Sequence, residues 1–383
     1  MRGRGFLGAE PGAPFGIKPM QLKFHWRLMQ GGERFGHTRL TQTTMPEAAL
    51  PELTAQTEFC HDAVASGISS LLIDIGYAKP DPMLLATALA TLCGNIRFMV
   101  AARSGLLSPA LFVQQVNTLS QISGGRVCLN IVAGYSPEEQ RYYGDFLDHD
   151  ERYARTAEFL EICHRLWDRA PVTFQGKYFC VEHARINTPF STGTGADRPE
   201  IFIGGNSDAA RDLAIQQGSC WMRMADAPSV IEKSIAPVLA QGKQAGLRLS
   251  IIAAATRDEA IARAYEMVKS ASATAKHAQT EQRFVQGTDS QSIHSAWASA
   301  EKEWLSPYLW TGAVRTHGAP AVALVGSPDE IAGALIQYGQ AGISQFILNG
   351  WPKQESMVYF GREVIPRVRA WEKKLALRTV AGD

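Results

Sequence analysis

Ile122-Ser-Gly-Gly-Arg-Val-Cys-Leu-Asn-Ile-Val-Ala-Gly134 joins a tight turn to a short apolar run. Ser123-Gly124-Gly125-Arg126 supplies the turn, and Val127 to Ala133 (VCLNIVA) reads as the strand entered through it. Upstream, Ser108 is placed to cap a helix that begins at Pro109. Downstream, Gly134 to Asp150 reads as a loop, followed by a long helix over Glu151 to Asp168. The unit is therefore helix, strand, loop, helix.

The same alternation runs outward in both directions. Leu22 to Leu28, Ser69 to Ile75 and Ile96 to Ala102 are the strands expected before it. Glu200 to Ile203, Cys220 to Met224, Leu249 to Ala255 and Ile343 to Leu348 are those expected after it. Helices are expected over Pro51 to Ala65, Asp81 to Thr91, Ser229 to Gln244, Asp258 to Ser270 and Gln354 to Leu375, and one from Ser207. Val172 to Ile186 has the alternation of a hairpin, with Gly176 in its turn. Repeated βα units without runs of antiparallel strands imply a parallel sheet. Eight such units close a (β/α)8 TIM barrel; an open, doubly wound sheet is the rival, and the regular alternation favours the barrel.

Composition narrows the class. The chain has 383 residues, of which 45% are hydrophobic and 20% charged. At roughly 150 residues per domain that allows two or three domains, or one large barrel with insertions. Lys and Arg number 38 against 37 Asp and Glu, a balance unlike that of proteins that coat nucleic acid. No run approaches the ~18 apolar residues of a membrane span, and no apolar signal core follows Arg2 and Arg4. Residues 1–20, rich in Gly and Pro, read as a disordered lead-in, and residues 21–383 as a single barrel domain. The six cysteines form no CxxC pair, so the simplest reading is reduced, structural thiols in the cytoplasm. The nine histidines show no HxH or HExxH spacing, and no metal site is expected. Ala271 to His317 breaks the βα rhythm and is expected to form a partly helical, mobile lid over the barrel mouth.

In a parallel barrel, ligands sit at the carboxyl ends of the strands. Gly204-Gly205-Asn206-Ser207 stands at such an end. Glycines let the backbone approach a ligand, and Asn206 or Ser207 begins a helix whose free N–H groups suit a phosphate; the same pattern is also an everyday turn. Arg27, Arg103, Arg223, Arg248 and Arg315 lie near strand ends or lid junctions. At least two of them are expected in an anion pocket, the others in ion pairs with Asp74, Asp81 or Asp226. Trp26, Trp221, Trp310 and Trp351 either wall an aromatic ligand or fill the core.

Several blocks together carry a family resemblance. Ile122 to Gly134, Phe146-Leu-Asp-His-Asp-Glu-Arg-Tyr153, Arg198-Pro-Glu-Ile-Phe-Ile-Gly-Gly-Asn-Ser-Asp208, Ala323-Leu-Val-Gly-Ser-Pro328 and Phe346-Ile-Leu-Asn-Gly-Trp-Pro352 are the blocks concerned. The chain resembles the bacterial luciferase-like flavin monooxygenases, in their alkanesulfonate monooxygenase branch. The resemblance implies a (β/α)8 barrel and reduced FMN (FMNH2) delivered by a separate NAD(P)H:FMN reductase. It also implies O2 as co-substrate, a small-molecule substrate and a homodimer or homotetramer. It carries the family's flavin contacts to Asn130, Ala133, Tyr135, Ser136, Tyr153, Gly205, Asn206 and Ser207. Arg248 and Arg315 match the branch's two active-site arginines. Lys79, Ser250 and Trp351 stand where the branch has Cys, His and Tyr, so the substrate is expected to be a different anionic or polar molecule. F420-dependent hydride transfer and flavin binding without turnover are the rivals within that resemblance; a metal-dependent hydrolase would have only His25 and Asp74 to draw on. The helices near Leu84 to Leu92 and Phe112 to Leu119 are the expected subunit contacts.

Overall fold

The computed structural model describes residues 21–30, 50–191, 195–272 and 282–381. Twelve strands occur among them: β1 (Lys23–Arg27), β2 (Ser70–Ile73), β3 (Arg97–Ala102), β4 (Val127–Ile131), β5 (Val172–Gln175), β6 (Cys180–Ala184), β7 (Ile201–Gly204), β8 (Cys220–Met224), β9 (Gln244–Ala253), β10 (Leu309–Trp310), β11 (Ala323–Gly326) and β12 (Ile343–Asn349). Eight of them, β1, β2, β3, β4, β7, β8, β9 and β12, pair in parallel, and β12 pairs back onto β1. The ring is closed, with helices outside it. It is the (β/α)8 barrel expected from the sequence, and the open sheet is excluded.

Each barrel strand is buried on both faces. Along β3, Met99 and Ala101 point into the barrel with Leu72, Cys128, Phe202 and Met222. Phe98, Val100 and Ala102 point outward to the helices. That two-sided burial is why the strands read as near-continuous apolar runs. Five cysteines are buried within these layers, and Cys180, on the hairpin strand β6, is exposed.

Three boundaries differ from expectation. The helix expected over Ser229 to Gln244 runs Pro228–Ala240 and ends at Gly242, whose φ is +68°. β9 consequently begins at Gln244, five residues before the expected Leu249. The loop expected over Gly134 to Asp150 contains a helix, Pro137–Tyr142, capped by Ser136, and the long helix begins at His149. The block Ala323 to Pro328 forms β11, which pairs with the upper part of β9 and with β10 rather than with the ring's other strands.

Between β9 and β11 the chain is partly helical. Helix Arg257–Ser272 leads into it, helix Gln291–Ser299 follows, and the short Val314–His317 helix closes it. Residues 1–20, the expected lead-in, lie outside the described residues. No helix among the described residues is long and apolar enough to cross a membrane. On helices Pro82–Leu92 and Pro109–Ser123 the exposed apolar side chains are Leu84, Leu92, Leu111 and Ile122. Phe112 and Leu119, expected at a subunit contact, are buried in the chain's own core.

Candidate active site

A network of charges forms where β1, β2 and β9 reach their carboxyl ends. Asp74, just past β2, accepts from Arg27 Nε at 2.8 Å and from Lys79 Nζ at 3.2 Å, and Arg248 Nη2 approaches its other oxygen at 3.8 Å. Gln30 clamps the Asp74 backbone, donating to its carbonyl at 2.8 Å and accepting from its N–H at 3.0 Å. Burial opposes the carboxylate's charge, but Arg27, Lys79 and Arg248 outweigh it and hold the carboxyl well below its usual range. Three cationic side chains therefore surround one ionised carboxylate. Arg27 and Arg248 meet on Asp74, the ion-pair arrangement that the sequence set against an anion pocket.

The wall continues through β3. Arg103 is buried and donates to Glu139 at 3.0 Å, while Tyr77 N–H donates to the same carboxylate oxygen at 3.0 Å. Among the described residues, Nε and Nη1 of Arg103 have no hydrogen-bond partner. Glu139 sits in the first turn of the Pro137–Tyr142 helix, so Ser136, by capping it at 3.2 Å, fixes where that carboxylate stands. Arg223 lies beside Ser234 and over the Trp221 ring, 5.7 Å from its centroid. Arg315 is exposed and lies 4.8 Å above the Trp297 ring.

The positions aligned with the branch's Cys, His and Tyr are not alike in surroundings. Lys79 belongs to the Asp74 network. Ser250, in β9, is fully buried and donates to Pro320 carbonyl at 2.6 Å, so its hydroxyl ties β9 to the chain before β11. Trp351 packs edge-on against His317, with ring centroids 5.4 Å apart. An imidazole thus enters this end of the barrel from the Val314–His317 helix, a residue the sequence reading did not single out. Trp26 and Trp310 belong to the core. His25 lies in a separate network deep in the ring, and among the described residues no three His, Cys, Asp or Glu side chains group as a metal site.

The second half of the site lies beyond β4 and β7. Gly205 has φ +146°, and a Cβ there would collide with the Tyr153 hydroxyl and fall 2.8 Å from Ala210 Cβ. Glycine is required because the Tyr153 hydroxyl and Ala210 of helix Asp208–Gln217 both occupy the space a Cβ would take. Tyr153 donates from its hydroxyl to Gly204 carbonyl at 3.2 Å, and burial, partly opposed by Ser207, pushes this phenol up to about 12. Trp221 Nε1 donates to Gly205 carbonyl at 2.8 Å. Ser207 is the N-cap, accepting from Ala210 N–H at 3.2 Å, whereas Asn206 spends its side-chain oxygen on Met224 N–H at 2.9 Å. Of the two candidate caps, Ser207 is the one used.

Asn130 projects from β4 with its side-chain oxygen buried and without a partner among the described residues, and Asn349 at the end of β12 has the same property. Ala133 carbonyl accepts from Arg152 Nε at 2.9 Å, and the Tyr135 ring meets Phe284 edge-on at 5.8 Å. Tyr153, Gly205 and Ser207 are thus in mutual contact, while Asn130 stands on the neighbouring β4 and Ala133 and Tyr135 in the segment just past it. The sequence offered Asp74 only as one of three ion-pair partners for the arginines; Glu139 and Arg152 were not foreseen.

The sequence profile of the luciferase-like monooxygenases matches residues 34–345. The chain belongs to the luciferase-like monooxygenase family. Solved structures agree with that fold. EDTA monooxygenase (EmoA) from Chelativorans sp. BNC1 superposes with a TM-score of 0.72 at 18% identity, over 91% of this chain and 94% of that one. DmoA from Hyphomicrobium sulfonivorans does so with a TM-score of 0.70 at 20% identity, over 92% and 88%. The coenzyme F420 dependent tetrahydromethanopterin reductase from Methanopyrus kandleri gives 0.62 at 16% identity, over 91% and 99%. One of these neighbours is named for coenzyme F420, so the likeness shows the fold and does not choose a cofactor. The residues beyond β4 and β7 fit a flavin tail through a buried acceptor, Asn130 Oδ1, that has no donor among the described residues, and through a backbone at Gly205 bare of a side chain at the start of a capped helix.

Proposed function

We propose that this luciferase-like protein is the oxygenase of a two-component system, taking FMNH2 from a separate NAD(P)H:FMN reductase and using O2 to oxygenate a small anionic or polar organic molecule. The observation that carries the reading is the pairing of two unlike half-sites at the carboxyl ends of the strands. One is the glycine cradle of Gly205 with Tyr153 and the Ser207-capped helix. The other is the cationic group of Arg27, Lys79 and Arg248 around Asp74.

Bound reduced FMN supplies the two electrons with which O2 places one oxygen atom in the substrate and the other in water. The protein's own part is binding, orientation and exclusion of water. The start of helix Asp208–Gln217 offers N–H donors and the positive end of its dipole to the phosphate. Tyr153, with its raised pKa, stays a neutral hydroxyl at working pH, and its one proton, donated to the Gly204 carbonyl, fixes the backbone on which the tail would rest. Asn130 Oδ1 is a buried acceptor available to an N–H of the ring system. Ala133, Tyr135, Ser136 and Asn206 complete the cofactor side. On the substrate side Arg248 and Lys79 hold the acidic group, and Arg315 comes to it from the β9–β11 segment. Trp351 with Ser250 shapes the pocket. Ser250 is already hydrogen-bonded to Pro320, so it acts here as a spacer rather than a base. The exposed Leu84, Leu92, Leu111 and Ile122 mark the face through which a second copy would pack.

Anaerobic titration with photoreduced FMN and with reduced F420 tests the reading. The expected result is micromolar affinity for FMNH2 and none for F420; the reverse overturns it in favour of hydride transfer. Reoxidation under labelled O2 with small sulfonates, carboxylates and phosphonates should then put the label into one product class. Peroxide release with every compound and no label in any product would leave only a flavin binder.

A further inference from the structure

Arg152 is 1% exposed, so its charge is deep in the protein. It is nevertheless fully engaged. Nε donates to Ala133 carbonyl at 2.9 Å, Nη1 to Leu147 carbonyl at 2.8 Å, and Nη2 to both carboxylate oxygens of Asp289 at 2.8 Å. A buried guanidinium needs a counter-charge. Here the carboxylate comes from the β9–β11 segment, 137 residues away in sequence. Thr288 hydroxyl donates to Tyr135 carbonyl, while Ser290 N–H donates to Thr288 Oγ1 at 3.2 Å and the His294 ring Nε2 lies 2.9 Å from Thr288 carbonyl. Asn206 N–H donates to Ser292 Oγ at 3.0 Å. Three residues given above to the flavin tail, Ala133, Tyr135 and Asn206, are thus each bonded to Arg152 or to the stretch it holds.

The last contact has an electrostatic side. Ser292 lies in the first turn of helix Gln291–Ser299, whose N-cap, Ser290, makes no side-chain capping bond. Asn206 immediately precedes the cap of helix Asp208–Gln217. Two helix starts therefore meet, each the positive end of its dipole. Like ends facing each other gain stability when an anion lies between them.

We infer that Thr288 to Ser292 completes the pocket for the cofactor's phosphate tail, and that Arg152, through Asp289, is the positioning residue that holds this stretch shut. The inference rests on the flavin reading. It assigns Ser292 to the phosphate side of the pocket, and it makes opening of the Arg152–Asp289 pair a step in FMN release.

Stopped-flow release of FMN from the full-length protein, and hydrogen exchange of residues 282–299 without flavin, test it together. Asp289→Asn keeps the side chain's size and removes the charge. It should raise the FMN dissociation rate at least fivefold and increase exchange across 282–299. Ser292→Ala should weaken FMN affinity severalfold with exchange unchanged, and Arg152→Lys, which keeps the charge but not the bidentate grip, should fall between wild type and Asp289→Asn. If wild type binds FMN and Asp289→Asn releases it at the same rate, the inference is overturned whatever exchange shows. If wild type has no FMN affinity, the flavin reading fails first and the inference with it, while the exchange difference still reports whether the pair holds the segment.

Discussion

The His25 network and the mouth of the barrel handle buried polar groups in opposite ways. In the network, His25 Nδ1 lies 2.6 Å from Ser70 Oγ and Nε2 lies 2.7 Å from Gln345 Oε1. Gln345 in turn donates to Gln244, whose side-chain oxygen also accepts from Ser344 at 3.3 Å. Because the Gln345 amide nitrogen donates, its oxygen is the acceptor, so His25 carries its proton on Nε2 and accepts from Ser70. Every ring nitrogen is satisfied from within the chain. At the mouth, where the strands finish, Asn130 and Asn349 keep buried oxygens without donors among the described residues, and Arg103 keeps two nitrogens without acceptors there. Unpaired buried polar atoms cost about 1–3 kcal/mol each, a cost that a protein accepts where a ligand is to supply the partner. The closed network is a stability device, and the open one marks the site.

The strongest way to break this contrast is His25→Leu. It strands Ser70 and Gln345 in the core, and an expected loss of about 2–5 kcal/mol should appear in urea denaturation at pH 7. FMN affinity of the folded fraction should not change. The pH dependence is a second reading of the same variant. Burial lowers His25 to about 4, with the Gln345 hydrogen bond opposing. The folded state therefore resists protonation while the unfolded chain, with its ordinary value near 6.5, takes a proton. Stability contributed by neutral His25 is present above about pH 6.5 and declines as pH falls toward 4, by about 3 kcal/mol in all. The gap between wild type and His25→Leu should narrow by that amount over this window. A gap independent of pH would mean that His25 is not held neutral.

Gly205→Ala is expected to cost less stability and to hurt the mouth. Its Cβ would strike the Tyr153 hydroxyl at a backbone φ of +146°. A loss of about 1–3 kcal/mol is expected, together with at least a tenfold loss of FMN affinity. Calorimetry and fluorescence titration on one preparation separate the two. Reduced stability with unchanged FMN affinity would leave Gly205 a packing glycine and detach it from the cofactor.

The sequence made the ring legible because eight apolar runs, each buried on two faces, leave a pattern that local reading detects. Ile96 to Ala102 and Val127 to Ala133 are of this kind. The start of β9 was hidden because Gln244, Gly246 and Arg248 interrupt its run. Gly246 is small because a Cβ would meet Met222 and come within 2.9 Å of Gln345 Cβ, contacts between strands that no local pattern records. Helix Pro137–Tyr142 was hidden by Pro137, which breaks helices in the middle but suits their first turn. At the site, the Gly204-Gly205-Asn206-Ser207 turn was legible from its residues, with the cap left between Asn206 and Ser207 until the structure gave Ser207. Asp289 against Arg152 was not, nor was the gathering of Arg27, Lys79 and Arg248 on Asp74, which the sequence offered only as one of three ion-pair partners. Ion pairs across the barrel mouth have no period and no spacing, and only the closed ring brings their partners together.

The smallest stability effect is expected at Asn130, and it sharpens the contrast most. Its side-chain oxygen is buried within β4 without a donor, so the folded protein already bears that cost. Asn130→Val removes the unpaired atom and substitutes a side chain that suits a strand. Thermal denaturation should show a change within about 1 kcal/mol, in either direction, since the lost penalty and the altered packing oppose one another. The same change should weaken FMN binding about tenfold, because the pocket would lose the acceptor that awaits an N–H of the ring system; a factor of ten corresponds to about 1.4 kcal/mol. An equal substitution in the closed network has the reverse profile, costly to stability and silent in binding. Were Asn130→Val to destabilise as strongly as His25→Leu while FMN bound as before, the His25 network and the mouth of the barrel would not differ in the way proposed, and the unpaired oxygens at the mouth would lose their meaning as a mark of the site.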